Sequence, residues 1–223
     1  MNIFNDIWKK YKGWRSIRKN KQKRILMEQY GKMICHKITE ELDKNKIEFF
    51  FFFGTMLGFV REKEFIKHDN DIDVCVMAED EIDWQQIEKI LKNIGLKKRR
   101  EIRYNGDITE QTYYYKKLLN IDFFACYNKE EYSEIYSYFR TGGGIKYEDK
   151  NEYSVGMNQL SKIETCIDYD TLLGKMRIPI NYLELLKELY GENWEIPDSG
   201  YCYEESPSWK ILENKKGYCR KFK

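Results

Sequence analysis

The sequence predicts an α+β fold in which a mixed sheet packs against flanking helices. Between residues 25 and 45, apolar residues recur at steps of three and four, the period of an amphipathic helix. Short runs rich in aromatic and β-branched residues follow, and Gly or Asn bounds them, as is typical of strands. Helical and strand patterns then alternate, and helices packed on a sheet bury the apolar faces of both.

The elements are expected in a definite order along the chain. They are a helix at 25–45, a buried strand at 47–53, a short helix at 54–61, a strand at 71–77, a helix at 79–95, strands at 96–104, 112–120 and 121–127, and a helix within 178–197. Gly95 and Gly191 mark the ends of two of these helices, because Gly favours the position after a helix. Residues 104–107 are expected to form a turn. Past residue 128 the patterns are weak until the last helix.

Composition and charge exclude several classes of protein. The 223 residues suit a sizeable core, and 39 Lys and Arg against 37 Asp and Glu give a net charge of +2, which favours no nucleic-acid partner. The six cysteines stand singly, which indicates neither a zinc site nor a disulfide framework. The longest uncharged run, residues 49–60, is about half of the roughly 20 apolar residues that cross a bilayer. With no secretory signal visible, we expect a cytoplasmic protein.

The basic residues concentrate in an N-terminal arm, residues 1–24, which precedes a single catalytic domain expected at 25–223. Residues 9–24 contain nine basic and no acidic side chains. Two interpretations stay open: a solvated basic helix, which we favour, or a segment that lies on an anionic membrane surface. Trp8, Trp14 and Ile17 are interleaved with the charges and would supply apolar contacts in the second case.

Three aspartates at alternate positions carry the strongest chemical signal. Asp71 and Asp73 project to one side of a predicted strand, whereas Ile72 points to the core, and Asp69 continues the spacing. Paired carboxylates at a strand end suit Mg²⁺, which prefers hard oxygen ligands. Asp122, which opens another apolar strand, is the candidate to complete a metal site or to act as a general base.

A second signal lies just upstream, where a buried strand ends at Gly54 and Thr55. The start of the following helix would present backbone N–H groups and the Thr55 hydroxyl to a phosphate. Arg61 can add a bidentate contact from its guanidinium group. Asp-x-Asp and Gly-Thr are each common as surface or turn residues, but the whole combination is rare and predicts metal-dependent phosphoryl or nucleotidyl transfer.

Two further features are weaker. His68 either contacts substrate or packs beside the aspartates. The glycines at 142–144 lack both the Lys-Ser/Thr ending of a P-loop and a preceding strand, so a mobile lid or a simple loop is the better interpretation.

These residues resemble the signature of the LicD/fukutin-related phosphotransferases, a branch of the nucleotidyltransferase superfamily. The matching positions are Gly54, Thr55, Leu57, Gly58, Arg61, Phe65, Ile66, Asp69, Asp71 and Asp73. The segment around Asp122 is similar to the strand that carries the family's third aspartate, and residues 177–197 resemble its closing segment. Lys67 and His68 stand where the family has Pro-Trp.

The resemblance implies a nucleotidyltransferase-like fold and a specific reaction. A phospho-alcohol, such as phosphocholine or a polyol phosphate, would move from a CDP-linked donor to a sugar hydroxyl of a glycan or lipid-linked glycan. Asp71, Asp73 and Asp122 would bind Mg²⁺ and catalyse transfer, and Asp69 would support metal or acceptor. Gly54, Thr55 and Arg61 would hold the donor diphosphate.

Two other functions stay open at this point. A nucleotidyltransferase that moves NMP from an NTP to a small molecule or protein would use the same acidic strand. A binding module that keeps the fold without turnover is the other alternative, and the complete set of aspartates argues against it.

Overall fold

A computed structural model describes residues 3–78, 81–140, 147–198 and 200–222, without the side chains of residues 3–17. The glycine-rich loop at 142–144 and the side chains of Trp8, Trp14 and Ile17 lie outside this description. The helices are α1 (Ile3–Lys44), α2 (Phe53–Arg61), α3 (Trp84–Asn93) and α4 (Tyr182–Tyr190). The strands are β1 (Phe49–Phe51), β2 (Asp71–Ala78), β3 (Lys97–Tyr104), β4 (Asp107–Tyr115), β5 (Leu119–Asn128), β6 (Tyr132–Phe139), β7 (Glu152–Ser161), β8 (Cys166–Thr171), β9 (Gly174–Pro179) and β10 (Trp209–Lys221).

Eight of the ten described strands form one mixed sheet in the order β1-β2-β5-β4-β3-β10-β7-β6. Strand β5 also pairs with β6. This pairing closes the six strands β5, β4, β3, β10, β7 and β6 into a ring. Strands β2 and β5 are parallel, and the other pairings are antiparallel. Strands β8 and β9 form a separate hairpin. Helices and a mixed sheet together confirm the predicted α+β class.

The aromatic run after α1 forms the centre of the hydrophobic core. Phe49, Phe50, Phe51 and Phe52 are all at most 1% exposed. The strand in this run is shorter than predicted, because the chain turns into α2 at Phe53, which has a left-handed φ of 44°. This early turn places α2 directly beside the start of β2.

One predicted strand is wrong. Residues 112–120 do not form a continuous strand, because a tight turn separates β4 from β5. Lys116 and Lys117 in that turn both have positive φ, at 50° and 67°. Leu118 N–H closes the turn by donating to the carbonyl oxygen of Tyr115 at 3.2 Å. The strands β6 to β10 were not predicted, and β6 ends at Phe139, shortly before the glycines at 142–144 that were expected to lack a preceding strand.

Helix α1 extends through the basic arm as well as through the predicted segment. Its C-terminal half packs into the core through Ile34, Ile38 and Leu42. Among the described helices, none has a stretch long and apolar enough to pass through a bilayer.

Candidate active site

The alternation predicted for β2 places two carboxylates on its open side. Ile72 is fully buried, whereas Asp71 and Asp73 on either side of it are only partly buried. In the parallel pairing with β5, Asp73 stands opposite Asp122, which is 8% exposed. Asp71, Asp73 and Asp122 line one cavity of about 360 Å³. The structure thus brings together the three residues predicted to be catalytic.

Burial and mutual repulsion make the ionised form of these carboxyls costly. Burial, followed by the charge and hydrogen bond of Asp69, raises the pKa of Asp71 to about 7. Burial, followed by the charge of Asp71, raises the pKa of Asp122 to about 6. The pKa of Asp73 is raised well above its ordinary value by burial and then by Asp71. The cluster therefore favours a proton or a cation.

A second cavity, of about 910 Å³, adjoins the first and contains most of the other predicted site residues. Gly54, Arg61, His68 and Asp69 line it, and Tyr190 and Tyr201 line both cavities. A Cβ atom on residue 54 would lie 3.0 Å from Asp69 Oδ2, so Gly54 leaves room for that carboxylate. Burial raises the pKa of Asp69 as well.

Arg61 is already held by the protein within this second cavity. Its Nε donates to Glu62 Oε1 at 3.0 Å, and its Nη1 donates to the carbonyl oxygen of Trp194 at 3.3 Å. These two bonds use only part of the five N–H donors of the guanidinium group, so the remaining donors are available to a ligand.

Thr55 has a structural contact that sequence reasoning missed. Its side chain is fully buried, and Oγ1 accepts a 2.9 Å hydrogen bond from the backbone N–H of Asp73. Phe52 N–H donates in turn to the carbonyl oxygen of Asp73 at 3.1 Å. The start of α2 is therefore bonded to the strand that carries the carboxylates.

Charged and polar residues outside the predicted set also reach the site. Arg100 and Glu110 line the first cavity, and Thr112 contacts Asp122.

Lys23 of α1 donates from Nζ to Asn70 Oδ1 at 2.6 Å, and its charge lowers the pKa of Asp71 and Asp122 against the larger effect of burial. Lys23 lies in the predicted arm, so the end of that arm touches the acidic segment. No motif marked these residues, since their roles depend on long-range packing.

The acidic cluster supplies the kind of oxygen donors that the predicted magnesium would need. Across the part of the chain that the structure describes, no three His, Cys, Asp or Glu side chains are arranged as a ready coordination shell. The chemistry of the donors nevertheless fits a hard divalent cation, because several carboxylates with raised pKa values face one cavity. A cation between them would relieve their repulsion.

Comparisons with known proteins point in one direction. Residues 46–154 match the family model described as LicD/FKTN/FKRP, nucleotidyltransferase domain. An uncharacterized protein of Rickettsia typhi (strain ATCC VR-144 / Wilmington) is 45% identical over 56 residues, which are 25% of this chain and 18% of that protein. One of Rickettsia prowazekii (strain Madrid E) is 41% identical over 66 residues, 30% of this chain and 25% of that protein. The chain thus spans a quarter or less of the curated relatives it matches. The match over residues 46–154 covers just under half of the chain, contains all the predicted site residues and supports membership of the LicD/FKTN/FKRP family.

Proposed function

We propose that the protein transfers a phospho-alcohol, phosphocholine or a polyol phosphate, from a CDP-linked donor to a sugar hydroxyl of a cell-surface glycan. The glycan would be a precursor of capsule, lipopolysaccharide or teichoic acid. One observation carries the proposal: Asp71, Asp73 and Asp122 line a single cavity within the segment that matches the family. Family membership supports the phosphotransferase class, and the donor and acceptor are our inference.

In this reaction the sugar hydroxyl attacks the phosphorus that bears the alcohol. The new P–O bond forms as the bond to the CMP oxygen breaks, and CMP leaves with the bonding electrons. Asp122, which lines the same cavity as Asp71 and Asp73, would take the hydroxyl proton or complete the metal site. The phospho-alcohol is then joined to the sugar as a phosphodiester.

Mg²⁺ is the proposed cofactor; Asp71 and Asp73 would hold it, and Asp122 would complete the metal site if it does not take the proton. When bound, Mg²⁺ would neutralise charge on the phosphate oxygens. Asp69 supports the same acidic cluster from the second cavity.

The two adjoining cavities suggest how the donor lies. Its diphosphate would contact Arg61 and the backbone near Gly54 in the larger cavity, with the reacting phosphorus beside the carboxylates. Thr55 would act through its hydrogen bond to Asp73 N–H, which holds β2 in place.

The test is release of CMP from CDP-choline, CDP-glycerol or CDP-ribitol in the presence of Mg²⁺ and a panel of glycan acceptors. We expect one donor to be consumed and Asp71→Asn to lose at least about 100-fold in turnover, as is typical of removing a group that acts in the transition state. Asp170→Asn, an exposed aspartate on β8, is the matched control and should retain full activity. No release of CMP from any of the donors would refute the substrate class.

A nucleotidyltransferase is the second candidate, and the description of the matching family model as a nucleotidyltransferase domain favours it. In that case an NMP would move from an NTP to a small molecule or protein. Pyrophosphate release from ATP or CTP, lost in Asp71→Asn, would identify this activity.

We further propose that the protein works in the cytoplasm, peripherally at the inner face of the membrane, where lipid-linked glycans are accessible. The observation behind this is the basic N-terminal part of α1. A variant that lacks residues 1–17 keeps Lys23 and is expected to bind anionic vesicles less than the full chain, with unchanged CMP release on a water-soluble acceptor. Equal vesicle binding by both proteins would exclude the membrane contact.

A further inference from the structure

A line of three polar side chains crosses strands β3, β4 and β5 beside the catalytic carboxylates. Arg100, Thr112 and Asp122 occupy directly opposed positions in the two antiparallel pairings. Thr112 is in the middle and is 1% exposed. The side chain of Glu110, two residues before Thr112, is 4% exposed and flanks the same line.

The hydrogen bonds in this line have a definite direction. Arg100 Nε donates to Thr112 Oγ1 at 2.9 Å, so the threonine oxygen acts as an acceptor there. The single hydroxyl hydrogen of Thr112 is then free to be donated, and Asp122 Oδ1 accepts it. Glu110 Oε1, at 3.4 Å, is the more distant alternative acceptor.

Arg100 is itself held in place by a second contact. Its Nη2 donates to Glu110 Oε1 at 2.8 Å, so the guanidinium group is held by one bond through Nε and one through Nη2. A planar guanidinium group held by two bonds has little rotational freedom. The orientation of the Thr112 hydroxyl, and through it that of the Asp122 carboxyl, is therefore set by residues on β3 and β4.

We propose that Thr112, held by Arg100 and Glu110, is a positioning residue that orients the Asp122 carboxyl for the transfer reaction. Oδ1 of Asp122 is occupied by the Thr112 hydroxyl, which leaves Oδ2 to serve the incoming hydroxyl. This role rests on the proposed function, since it assigns Asp122 to the reacting centre. It extends the functional set to residues that no sequence motif marked.

The decisive variant is Thr112→Val, which keeps the shape of the side chain and removes only the hydroxyl. Hydrogen-bond partners that orient metal-site side chains typically contribute about 10- to 100-fold to activity. We expect a comparable fall in kcat for CMP release, with KM for the CDP-linked donor within about twofold of wild type. Thr112→Ser keeps the hydroxyl and should restore most of kcat.

Ser133→Ala controls for the loss of a buried hydroxyl. Like Thr112, Ser133 is buried, and its hydroxyl both accepts, from Ile163 N–H at 2.9 Å, and donates, to Asn128 Oδ1 at 2.6 Å. It lies on β6, where it pairs with Asn128 of β5 and lines neither site cavity. We expect Ser133→Ala to lose about as much thermal stability as Thr112→Val and to keep the kcat of wild type.

High-resolution crystal structures of wild type, Thr112→Val and Thr112→Ser test the orientation of the Asp122 carboxyl without any measurement of turnover. In wild type and Thr112→Ser, Oδ1 of Asp122 should stay within hydrogen-bonding distance of the residue 112 hydroxyl. In Thr112→Val the carboxyl should rotate away from that position. An unchanged Asp122 rotamer in Thr112→Val, or an unchanged kcat in a protein that releases CMP, would overturn the positioning role. A wild-type protein that consumes no CDP-alcohol would refute the proposed function, while the Asp122 rotamer would still decide the geometry proposed here.

Discussion

Asp73 and Asp122 stand opposite each other on the parallel strands β2 and β5, and both side chains line one cavity. Burial, followed by the charge of Asp71, raises the cost of ionising both carboxyls. Repulsion between the ionised carboxylates therefore destabilises the metal-free protein, and a bound cation would remove that repulsion.

Asp71→Asn is expected to stabilise the metal-free protein at pH 8 although it removes activity. The pKa of Asp71 is about 7, so its carboxyl is largely charged at pH 8 and repels its neighbours. Each 1 kcal/mol gained would raise the melting temperature by roughly 2–4 °C for a chain of this size. Scanning calorimetry in EDTA should show a higher Tm than wild type at pH 8 and a smaller difference at pH 5. A lower Tm at pH 8 would contradict the repulsion.

The stability of the metal-free protein is expected to fall between pH 5 and pH 8. The pKa of Asp122 is raised from 3.8 to about 6, and burial raises that of Glu110 from 4.5 to about 7 despite the opposing charge of Arg100. The folded state holds these protons more tightly than the unfolded chain, so this stability is complete below about pH 4 and is lost as pH rises through 6 and 7. Thermal melts in EDTA between pH 5 and pH 8 should show a Tm that falls as the pH rises.

Magnesium should reverse this loss. Because a cation binds the ionised carboxylates, the increase in Tm on adding MgCl₂ is expected to be larger at pH 8 than at pH 5. KCl at matched ionic strength is the control for general screening. An increase in Tm that is the same at both pH values would argue against binding at these carboxylates.

Two glycines of α2 are expected to respond differently to substitution by alanine. In Gly58→Ala the new Cβ would lie 2.7 Å from the backbone oxygen of Glu64 and 2.9 Å from the backbone nitrogen of Ile66. Backbone atoms cannot move aside cheaply, so a loss of about 1–3 kcal/mol is expected in urea unfolding. In Gly54→Ala the nearest atom, Asp69 Oδ2 at 3.0 Å, belongs to a side chain that can rotate. Gly54→Ala should therefore keep more of the wild-type stability than Gly58→Ala, and its kcat/KM should be lower than that of wild type.

Lys23→Met should destabilise the metal-free protein at pH 8 more than Lys21→Met does. Lys23 Nζ donates to Asn70 Oδ1, and its positive charge offsets part of the repulsion among Asp69, Asp71 and Asp122. Lys21 is exposed, two residues earlier on the same helix, and serves as the matched control. Saturating Mg²⁺ should reduce the difference in Tm between the two variants, because the cation replaces the lost charge.

Elements with a strong local signal were predictable from the sequence. Helix α4 ends before Gly191, as predicted, and Gly191 has a φ of 83°. Helix α3 was predicted to begin at residue 79 but begins after Asp83, whose carboxylate accepts from the N–H groups of Gln85 and Gln86. Strand β2 was predicted with its first residue, because its carboxylates and apolar residues alternate. Local capping and periodicity decide such boundaries.

The later strands depend on distant partners instead. Strand β10 spans 13 residues, many of them charged, and pairs with β3 and β7. Its pairing with β7 has a register shift between Leu212 and Lys216. At this shift the alternation of side chains between the two faces of the strand is interrupted, so the sequence of β10 shows no regular alternation of polar and apolar residues.

The same reason limits what could be predicted of the site. Asp71, Asp73 and Asp122 follow from strand position and polarity. Arg100, in contrast, is set opposite Thr112 by an irregularity between Lys98 and Arg100 on β3. A one-residue shift reverses which side a side chain takes, so the contribution of β3 to the cavity follows from the fold alone.

The closure of the sheet constrains how this protein is made on the ribosome. Strand β10 fills the gap between β3 and β7, and Lys221 pairs with Arg100, which is synthesised 121 residues earlier (221 − 100). Until β10 emerges, the nascent chain carries two unpaired strand edges that invite association with other chains. The sheet can therefore close only after β10 has emerged, and the interval before that is when protection by chaperones matters most.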